Sequence, residues 1–184
     1  EGIAKEFQDL QDKKMKLISE KEDVMKMMAE IETKKKGIFM KTFKIIAENF
    51  HRIFMSLSTK GEAFMELENK EDPLQGGLEI SVRIAGNKYL DIKSLSGGEK
   101  TLTALAFIFA IQEHQPASFY LLDEVDAALD KKNSALLSQL IKKYSATAQY
   151  ILISHNDSII SEADQIYGVS MQENGISKII SLKL

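Results

Sequence analysis

The first 36 residues of the chain carry an apolar stripe with the spacing of a coiled coil. Steps of alternately four and three residues from Ile3 to Lys35 reach ten positions, of which seven are apolar. The same stretch contains no proline, and its single glycine is Gly2. A helix with such a stripe needs a partner helix, because alone it has nothing to cover its apolar side chains. The spacing predicts a coiled-coil arm and neck over residues 1–50, with an amphipathic helix lying on its own domain as the alternative.

The apolar spacing changes twice in the segment that follows. After Gly37 the stripe moves one residue along the chain and gains several phenylalanines, which indicates that the helix docks on a globular body. In residues 63–67 and 78–84 apolar side chains alternate with polar ones, and a proline and a glycine pair lie between the two runs. We expect antiparallel strands here, with one buried face and turns between them.

The rest of the chain alternates between helix and strand patterns. The predicted elements are an apolar helix over 102–111, a buried strand over 119–123, an amphipathic helix over 136–144, a strand over 150–154, and a hairpin over 166–182 with its turn at Asn174-Gly175. Strand–helix alternation predicts a parallel sheet with helices packed against it. The expected fold class is α/β, a parallel sheet with flanking helices plus antiparallel strands in residues 51–184, preceded by a coiled-coil helix.

Composition narrows the possible functions. The 184 residues are 44% hydrophobic, which is enough for a core and excludes wholesale disorder. The formal net charge of −3 gives no global basic field, so any contact with nucleic acid must be local. Without cysteine there is no disulfide, thiolate nucleophile or cysteine zinc site, which fits a reducing interior. We expect no membrane span and no signal peptide, and, because the chain begins with Glu1, a piece of a longer protein.

A short glycine-containing loop opens the predicted helix at 102–111. In residues 95–100 the two glycines, Gly97 and Gly98, let a backbone approach an anion closely, and the helix start directs free N–H groups at it. Ser96 adds a hydroxyl donor. The alternative is a plain helix cap, because Ser96 followed three residues later by Glu99 also forms a capping box.

Two consecutive acids, Asp123 and Glu124, close the predicted strand at 119–123. Carboxylates placed in this way lie at the carboxyl edge of a parallel sheet, where ligands bind in such folds. Alternation turns them different ways, so that one can face a metal-bound phosphate and the other an attacking water. His155 follows the next predicted strand and belongs at the same edge, where imidazole can donate to a phosphate or position a water. The alternatives are solvated acids and a structural histidine.

In their order and spacing these segments resemble the C-terminal half of an ABC-type ATPase head. The matching segments are the signature Leu95-Ser96-Gly97-Gly98-Glu99, the Walker B acids Asp123-Glu124, the D-loop Ala128-Leu129-Asp130 and the switch His155. Residues 95–100 and 122–130 are specifically similar to the SMC (structural maintenance of chromosomes) family, as are residues 71–73 and 167–171. The resemblance covers residues 50–184 closely and the heptads before them only generically.

The resemblance implies an ATPase that binds ATP and Mg²⁺. It implies that Glu124 is the general base, with His155 as a further catalytic residue, and that Asp123 holds Mg²⁺ through its water shell. The implied nucleotide contacts are Ser96, Gly97, Gly98, Glu99, Lys100 and Asp130, made to ATP on a second head.

One motif is missing. No G-x-x-x-x-G-K-[ST] sequence occurs in the 184 residues, so the chain has no P-loop for the β- and γ-phosphates. SMC proteins carry that element in the N-terminal half of the head. The resemblance therefore implies half a head, which hydrolyses ATP only when the N-terminal half complements it.

The family resemblance also implies a function and partners. The function is that of a chromosome condensation and segregation protein, cytoplasmic and associated with the chromosome or nucleoid, whose ATP-driven heads open and close a DNA-entrapping complex. The implied partners are the N-terminal half of the head, a second SMC head, a kleisin subunit held by the C-terminal lobe, and DNA bound without sequence preference. Candidate DNA contacts are Lys34, Lys35, Lys36, Lys41 and Lys44, with a solvated helical face as the alternative.

Other functions stay open at this point. A coiled-coil ATPase of double-strand-break repair would share the motifs, and the isolated chain could be an interaction lobe without catalysis. An ABC transporter subunit is disfavoured, because a coiled-coil pattern occupies the region where its P-loop would lie.

Overall fold

The computed structural model of the chain describes residues 2–58, 61–84, 88–173 and 175–183. Its contacts form two units, residues 1–44 with 69–76, and residues 45–68 with 77–184. The domain boundary between residues 50 and 51 stays a prediction.

A single long helix, α1, runs from Gly2 to Leu57. It continues through Gly37, so the change of spacing there leaves the helix unbroken. The helix predicted from the heptads is confirmed. Its apolar stripe is exposed, from Ile3 at 85% to Ile31 at 57%. The partner helix that would cover this stripe stays a prediction.

In the first unit a short loop lies against α1. Lys36 donates from Nζ to the backbone oxygen of Glu71 at 2.6 Å. The side chain of Asn69 accepts from the backbone N–H groups of Glu71 and Asp72 at 3.1 and 2.9 Å. A Cβ on Gly76 would lie 2.8 Å from the backbone nitrogen of Asn69, so the loop closes tightly at its two ends.

In the second unit the last turns of α1 form part of the core. Phe50, Ile53, Phe54 and Leu57 are all buried, and Phe50 meets the ring of Phe107 edge-on at 6.4 Å. Aromatic bulk on the final turns therefore anchors the helix, as its sequence predicts.

The antiparallel strands are β1, Glu62–Leu67, β2, Leu78–Arg83, and β3, Leu90–Asp91, in the order β1-β2-β3. Ala63 pairs with Val82 and Met65 with Ile80, and the first three of these side chains are buried. The predicted one-sided burial of the hairpin is confirmed. The sequence did not predict β3, because two residues are too few to show alternation. A one-turn 3₁₀ helix, Ile92–Ser94, follows it.

The parallel part alternates helix and strand as predicted. Its elements are α2, Gly97–His114, β4, Phe119–Asp123, α3, Lys131–Tyr144, β5, Gln149–Ile153, and the one-turn α4, Asp157–Ile160. β4 and β5 pair in parallel, with Tyr120 beside Tyr150. These two rings stack with their centroids 5.2 Å apart, and the ring centroid of Phe109 in α2 lies 6.3 Å from that of Tyr150. One face of the sheet is therefore packed against the helices.

The other face of the parallel sheet is exposed. Phe119 and Leu121 are each 61% exposed, and Ile151 and Ile153 beside them are nearly half exposed. The prediction that β4 is buried was wrong for this face. An all-apolar strand is typical of a parallel sheet covered on both sides, and only one cover lies within the described residues.

The chain ends in a hairpin of β6, Gln165–Met171, and β7, Ser177–Lys183, with Val169 opposite Ile179. This hairpin was predicted. Gly175 takes a positive φ of 78° in the turn, while Asn174 lies outside the described residues. Of the described helices, none is both long and apolar enough to cross a membrane.

Candidate functional site

The predicted anion-binding loop is a capped helix start. Ser96 is the N-cap of α2, and its hydroxyl accepts from the Glu99 N–H at 3.5 Å. The Glu99 carboxylate accepts in return from the Ser96 N–H at 2.8 Å. The capping box is thus present. Because Gly97 and Gly98 occupy the first helical positions, their N–H groups have no acceptor within the helix, so a cap and an anion site are compatible.

The two glycines of this loop have different surroundings. A Cβ on Gly98 would lie 2.8 Å from the backbone oxygen of Ala128, whereas a Cβ on Gly97 would meet no atom within 4 Å. Gly98 is therefore required by its close approach to the loop at 124–130. Gly97 leaves space in front of the helix start that a ligand can enter.

Glu124 and His155 meet at the carboxyl edge of the parallel sheet. Glu124 Oε1 lies 3.4 Å from His155 Nε2, and both side chains are largely exposed. The Glu124 N–H donates to the Ile153 carbonyl at 2.8 Å, which ties the residue after β4 to the end of β5. The structure brings the two side chains together at the edge where the sequence places them.

The backbone of Glu124 is strained. Its φ of 47° lies in the left-handed region, which L-residues other than glycine seldom occupy. Residues held in such conformations concentrate at functional sites. The backbone therefore marks Glu124 independently of its carboxylate.

Sequence reasoning missed a buried carboxylate beside this pair. Asp126 is only 6% exposed, and its Oδ2 accepts from the Ser154 hydroxyl at 2.8 Å. Ser154 Oγ in turn accepts from the Asn156 N–H at 2.9 Å. The available signals were an acid two residues after the Asp-Glu pair and a serine beside His155, but nothing in the sequence joins them.

The remaining predicted residues are placed separately. Asp130 is the N-cap of α3, and its Oδ1 accepts from the Asn133 N–H at 2.8 Å. Lys100 is exposed on the first turn of α2, and Asp123 is exposed at the end of β4. Within the described ranges no three His, Asp or Glu side chains are grouped so as to hold a metal ion. Asp123 can supply one carboxylate to a divalent cation.

Three ionisable groups in the packing behind the sheet have raised pKa values. Burial raises the pKa of Tyr150 to about 12. A hydrogen bond with Glu113 raises the pKa of Arg52. Burial is the main cause that raises the pKa of Tyr144, whose hydroxyl donates to the same Glu113 carboxylate at 3.2 Å. These groups join α1, α2 and α3 and have a structural role.

Known proteins match nearly the whole chain. The family model of the RecF/RecN/SMC N terminal domain matches residues 4–178. The chromosome partition protein Smc of Pyrococcus furiosus is 48% identical over 184 residues, and that of Bacillus subtilis is 39% identical over 184 residues. Both alignments cover 100% of this chain, but the chain spans only 16% of each relative.

Solved structures of SMC heads also match the chain. The crystal structure of the Pyrococcus furiosus Smc head domain with an extended coiled coil, bound to the C-terminal domain of ScpA, has a TM-score of 0.86 and 49% identity, and the match covers 95% of this chain and 44% of that one. A chain from a study of ATP-driven dimerization and DNA-stimulated activation of SMC ATPases has a TM-score of 0.74 and 49% identity, with 80% of this chain and 89% of that one covered. The chain therefore belongs to the RecF/RecN/SMC family and, within it, to the SMC proteins.

Proposed function

We propose that this chain is the C-terminal half of an SMC ATPase head, which binds and hydrolyses Mg-ATP once the N-terminal half completes it. The observation that carries the proposal is the approach of Glu124 to His155, 3.4 Å apart at the edge of a parallel sheet. The signature loop lies against the D-loop through Gly98 and Ala128. The residues that we assign as general base, switch histidine and anion-binding helix start thus all lie in one unit.

Two observations support a half rather than a whole head. The sequence contains no P-loop motif, so the P-loop contacts to the β- and γ-phosphates must come from residues outside this chain. In addition, the exposed face of β4 and β5 carries Phe119, Leu121, Ile151 and Ile153. Apolar surface of this kind needs a cover, because a parallel sheet is normally buried on both sides. We assign the N-terminal half to that face.

The residues at the sheet edge fit ATP hydrolysis. Glu124 is exposed and can accept a proton from a water directed at the γ-phosphate. His155, next to it, can donate to a phosphate oxygen or orient the water. Asp123 offers a hard oxygen to Mg²⁺, and the ion, when bound, would offset negative charge on the phosphates.

The signature loop is assigned to a second head. Ser96 keeps a hydroxyl proton to donate, because in the capping box it acts as an acceptor. Gly97 borders open space, and the free N–H groups of the first turn favour a phosphate. In a two-fold dimer of heads each signature loop would contact ATP held by the other head, with Asp130 crossing the same interface. Hydrolysis would remove the bridging γ-phosphate and release the heads.

The proposed partners rest on the names of the relatives and on exposed surfaces of this chain. The hairpin β6–β7 exposes apolar side chains on both faces, among them Val169, Ile179 and Ile180. We assign the kleisin subunit to this hairpin, since exposed strand edges and apolar faces favour docking. DNA is assigned to the lysines of α1, including Lys36, Lys41 and Lys44. The protein would act in chromosome partition, in the cytoplasm and on the chromosome, as the names of its relatives support over double-strand-break repair.

A nucleotide-binding assay with and without the N-terminal half tests the proposal. Fluorescent ATP should bind the paired halves in the presence of Mg²⁺ and should not bind this chain alone. Glu124→Gln in the pair should keep binding and remove hydrolysis. Equal binding by the isolated chain would contradict the proposal, as would hydrolysis by the Gln variant at the parental rate.

A further inference from the structure

We propose that Asp126 is a positioning residue, which acts through Ser154 to hold His155 beside Glu124. The inference deepens the proposed ATPase function and rests on it for its kinetic consequences. Asp126 and Ser154 are 28 residues apart in sequence, and each follows a different strand of the parallel sheet. Their hydrogen bond of 2.8 Å joins the loops that carry the two site residues.

The Asp126 carboxylate is buried and can anchor the residues bonded to it. Asp126 is 6% exposed, whereas Glu124 and His155 are largely exposed. A buried carboxylate needs hydrogen-bond donors, and removing a donor from it is costly. Its backbone is fixed as well, because the Asp126 carbonyl accepts from the Leu129 N–H at 2.9 Å.

Through Ser154 the buried Asp126 carboxylate restrains the residues on both sides of His155. Its hydroxyl donates to Asp126 Oδ2 and accepts from the Asn156 N–H at 2.9 Å. Asn156 is also held, because its side chain accepts from the Ser158 N–H at 3.0 Å as the N-cap of α4. The exposed histidine therefore sits on a backbone whose neighbours are restrained on either side.

The same loops hold the other member of the pair. The strained backbone of Glu124 is restrained by the bond from its N–H to Ile153, and its carbonyl accepts from the Ala127 N–H at 3.1 Å. Asp126 lies inside this turn. The Asp126–Ser154 hydrogen bond thus links the loop that carries Glu124 to the loop that carries His155. The side chains of these two residues approach each other to 3.4 Å between Glu124 Oε1 and His155 Nε2.

The kinetic test uses the full-length protein. Ser154→Ala removes the donor to Asp126 and the acceptor for Asn156, while Ser154→Thr keeps both. We expect Ser154→Ala to lower kcat for ATP hydrolysis by about tenfold to a hundredfold, the scale of misplaced catalytic groups, and to leave KM within about twofold. Ser154→Thr should restore kcat. Asp126→Ala should also lower kcat, and the double variant should be no worse than Ser154→Ala, because the two substitutions share the Asp126–Ser154 bond and only Ser154→Ala also loses the acceptor for Asn156.

A second readout does not depend on ATPase activity. In the NMR spectrum the ring protons of His155, identified with a His155→Gln variant, should show nuclear Overhauser effects to the Glu124 side chain. These signals should disappear in Ser154→Ala and remain in Ser154→Thr. If they persist in Ser154→Ala, or if that variant loses thermal stability but retains the parental kcat, the positioning role is wrong. An inactive parent protein would instead contradict the proposed function, and the NMR comparison would still decide the positioning role.

Discussion

The Cβ position of Gly98 lies 2.8 Å from the backbone oxygen of Ala128, so the signature loop and the D-loop touch where only a hydrogen fits between them. A contact this short cannot be relieved by rotating a side chain, since the neighbour is backbone. Gly98 is therefore required by packing, whereas the open space at this helix start lies beside Gly97.

The contact predicts opposite effects for the two neighbouring glycines. Gly98→Ala should destabilise the complete head by about 1–3 kcal/mol, the usual effect of overpacking. Gly97→Ala should leave stability unchanged or raise it by less than about 1 kcal/mol, because its Cβ meets open space and alanine favours the helix. Urea denaturation of the two variants measures the difference. Equal destabilisation by both would contradict the role of Ala128.

The positive φ of Glu124 predicts that glycine at this position is more stable than alanine, although both variants lose activity. Glu124→Gly should be more stable than Glu124→Ala by about 1–2 kcal/mol, because only glycine adopts this conformation without strain. Both variants should lose ATP hydrolysis in the complete head, since neither can accept a proton. The comparison of glycine with alanine controls for removal of the side chain. An alanine variant as stable as the glycine variant would show that the backbone relaxes.

Ionisation of Tyr150 predicts a loss of stability in strongly alkaline solution. Burial raises its pKa to about 12 in the folded protein, against about 10 for an exposed tyrosine. Below pH 10 both states are protonated and the stabilisation is complete. Above pH 10 the hydroxyl of Tyr150 loses its proton in the unfolded chain before it does so in the folded protein. The free energy of unfolding therefore falls as pH rises from about 10 to about 12. Tyr150→Phe should have a shallower decline in denaturant unfolding over that range, and an unchanged slope would contradict the assignment.

The lysines near the predicted neck give a test for DNA binding. Neutralising Lys34, Lys35, Lys36, Lys41 and Lys44 with glutamine should flatten the dependence of DNA affinity on salt. The slope of log affinity against log salt should fall by about 0.9 for each phosphate that a lysine no longer neutralises. Lys36 also bonds to the Glu71 carbonyl, so its replacement has a structural effect as well. A variant with Lys36 restored separates the two effects, and an unchanged salt slope assigns the lysines to a solvated helical face.

The sequence predicted elements whose signal is local. The long helix, the hairpin of β1 and β2, the strands at 119–123 and 150–154 and the terminal hairpin all follow from periodicity, and the structure confirms them. The edge that brings Glu124 to His155 was also predictable, because parallel strands end on the same side of a sheet.

Other features depend on tertiary contacts that the sequence does not encode locally. The bond between Asp126 and Ser154 crosses 28 positions, and no periodic pattern marks it. The positive φ of Glu124 accompanies its bond to Ile153 and the turn that follows, and no glycine or asparagine marks it in the sequence. The exposed face of β4 has the sequence of a buried strand, and no cover for it lies within the described residues.

The proposed contact of the signature loop with nucleotide on a second head can be tested at Ser96. Ser96→Arg fills the open space beside Gly97 with a long side chain, and it also removes the helix cap. Ser96→Ala is the matched control, because it loses the same hydroxyl donor and the same cap, worth about 1 kcal/mol, without obstructing the loop. Both variants should bind ATP in the complete head, since we assign the phosphate-binding loop to the N-terminal half.

Light scattering of the complete head in Mg-ATP measures dimerisation most directly. The heads should also carry Glu124→Gln, so that bound ATP persists. We predict a dimer for the parent and for Ser96→Ala at sufficient concentration, and a monomer for Ser96→Arg at every ATP concentration that saturates binding. A Ser96→Arg head that dimerises with ATP as the parent does would contradict the account.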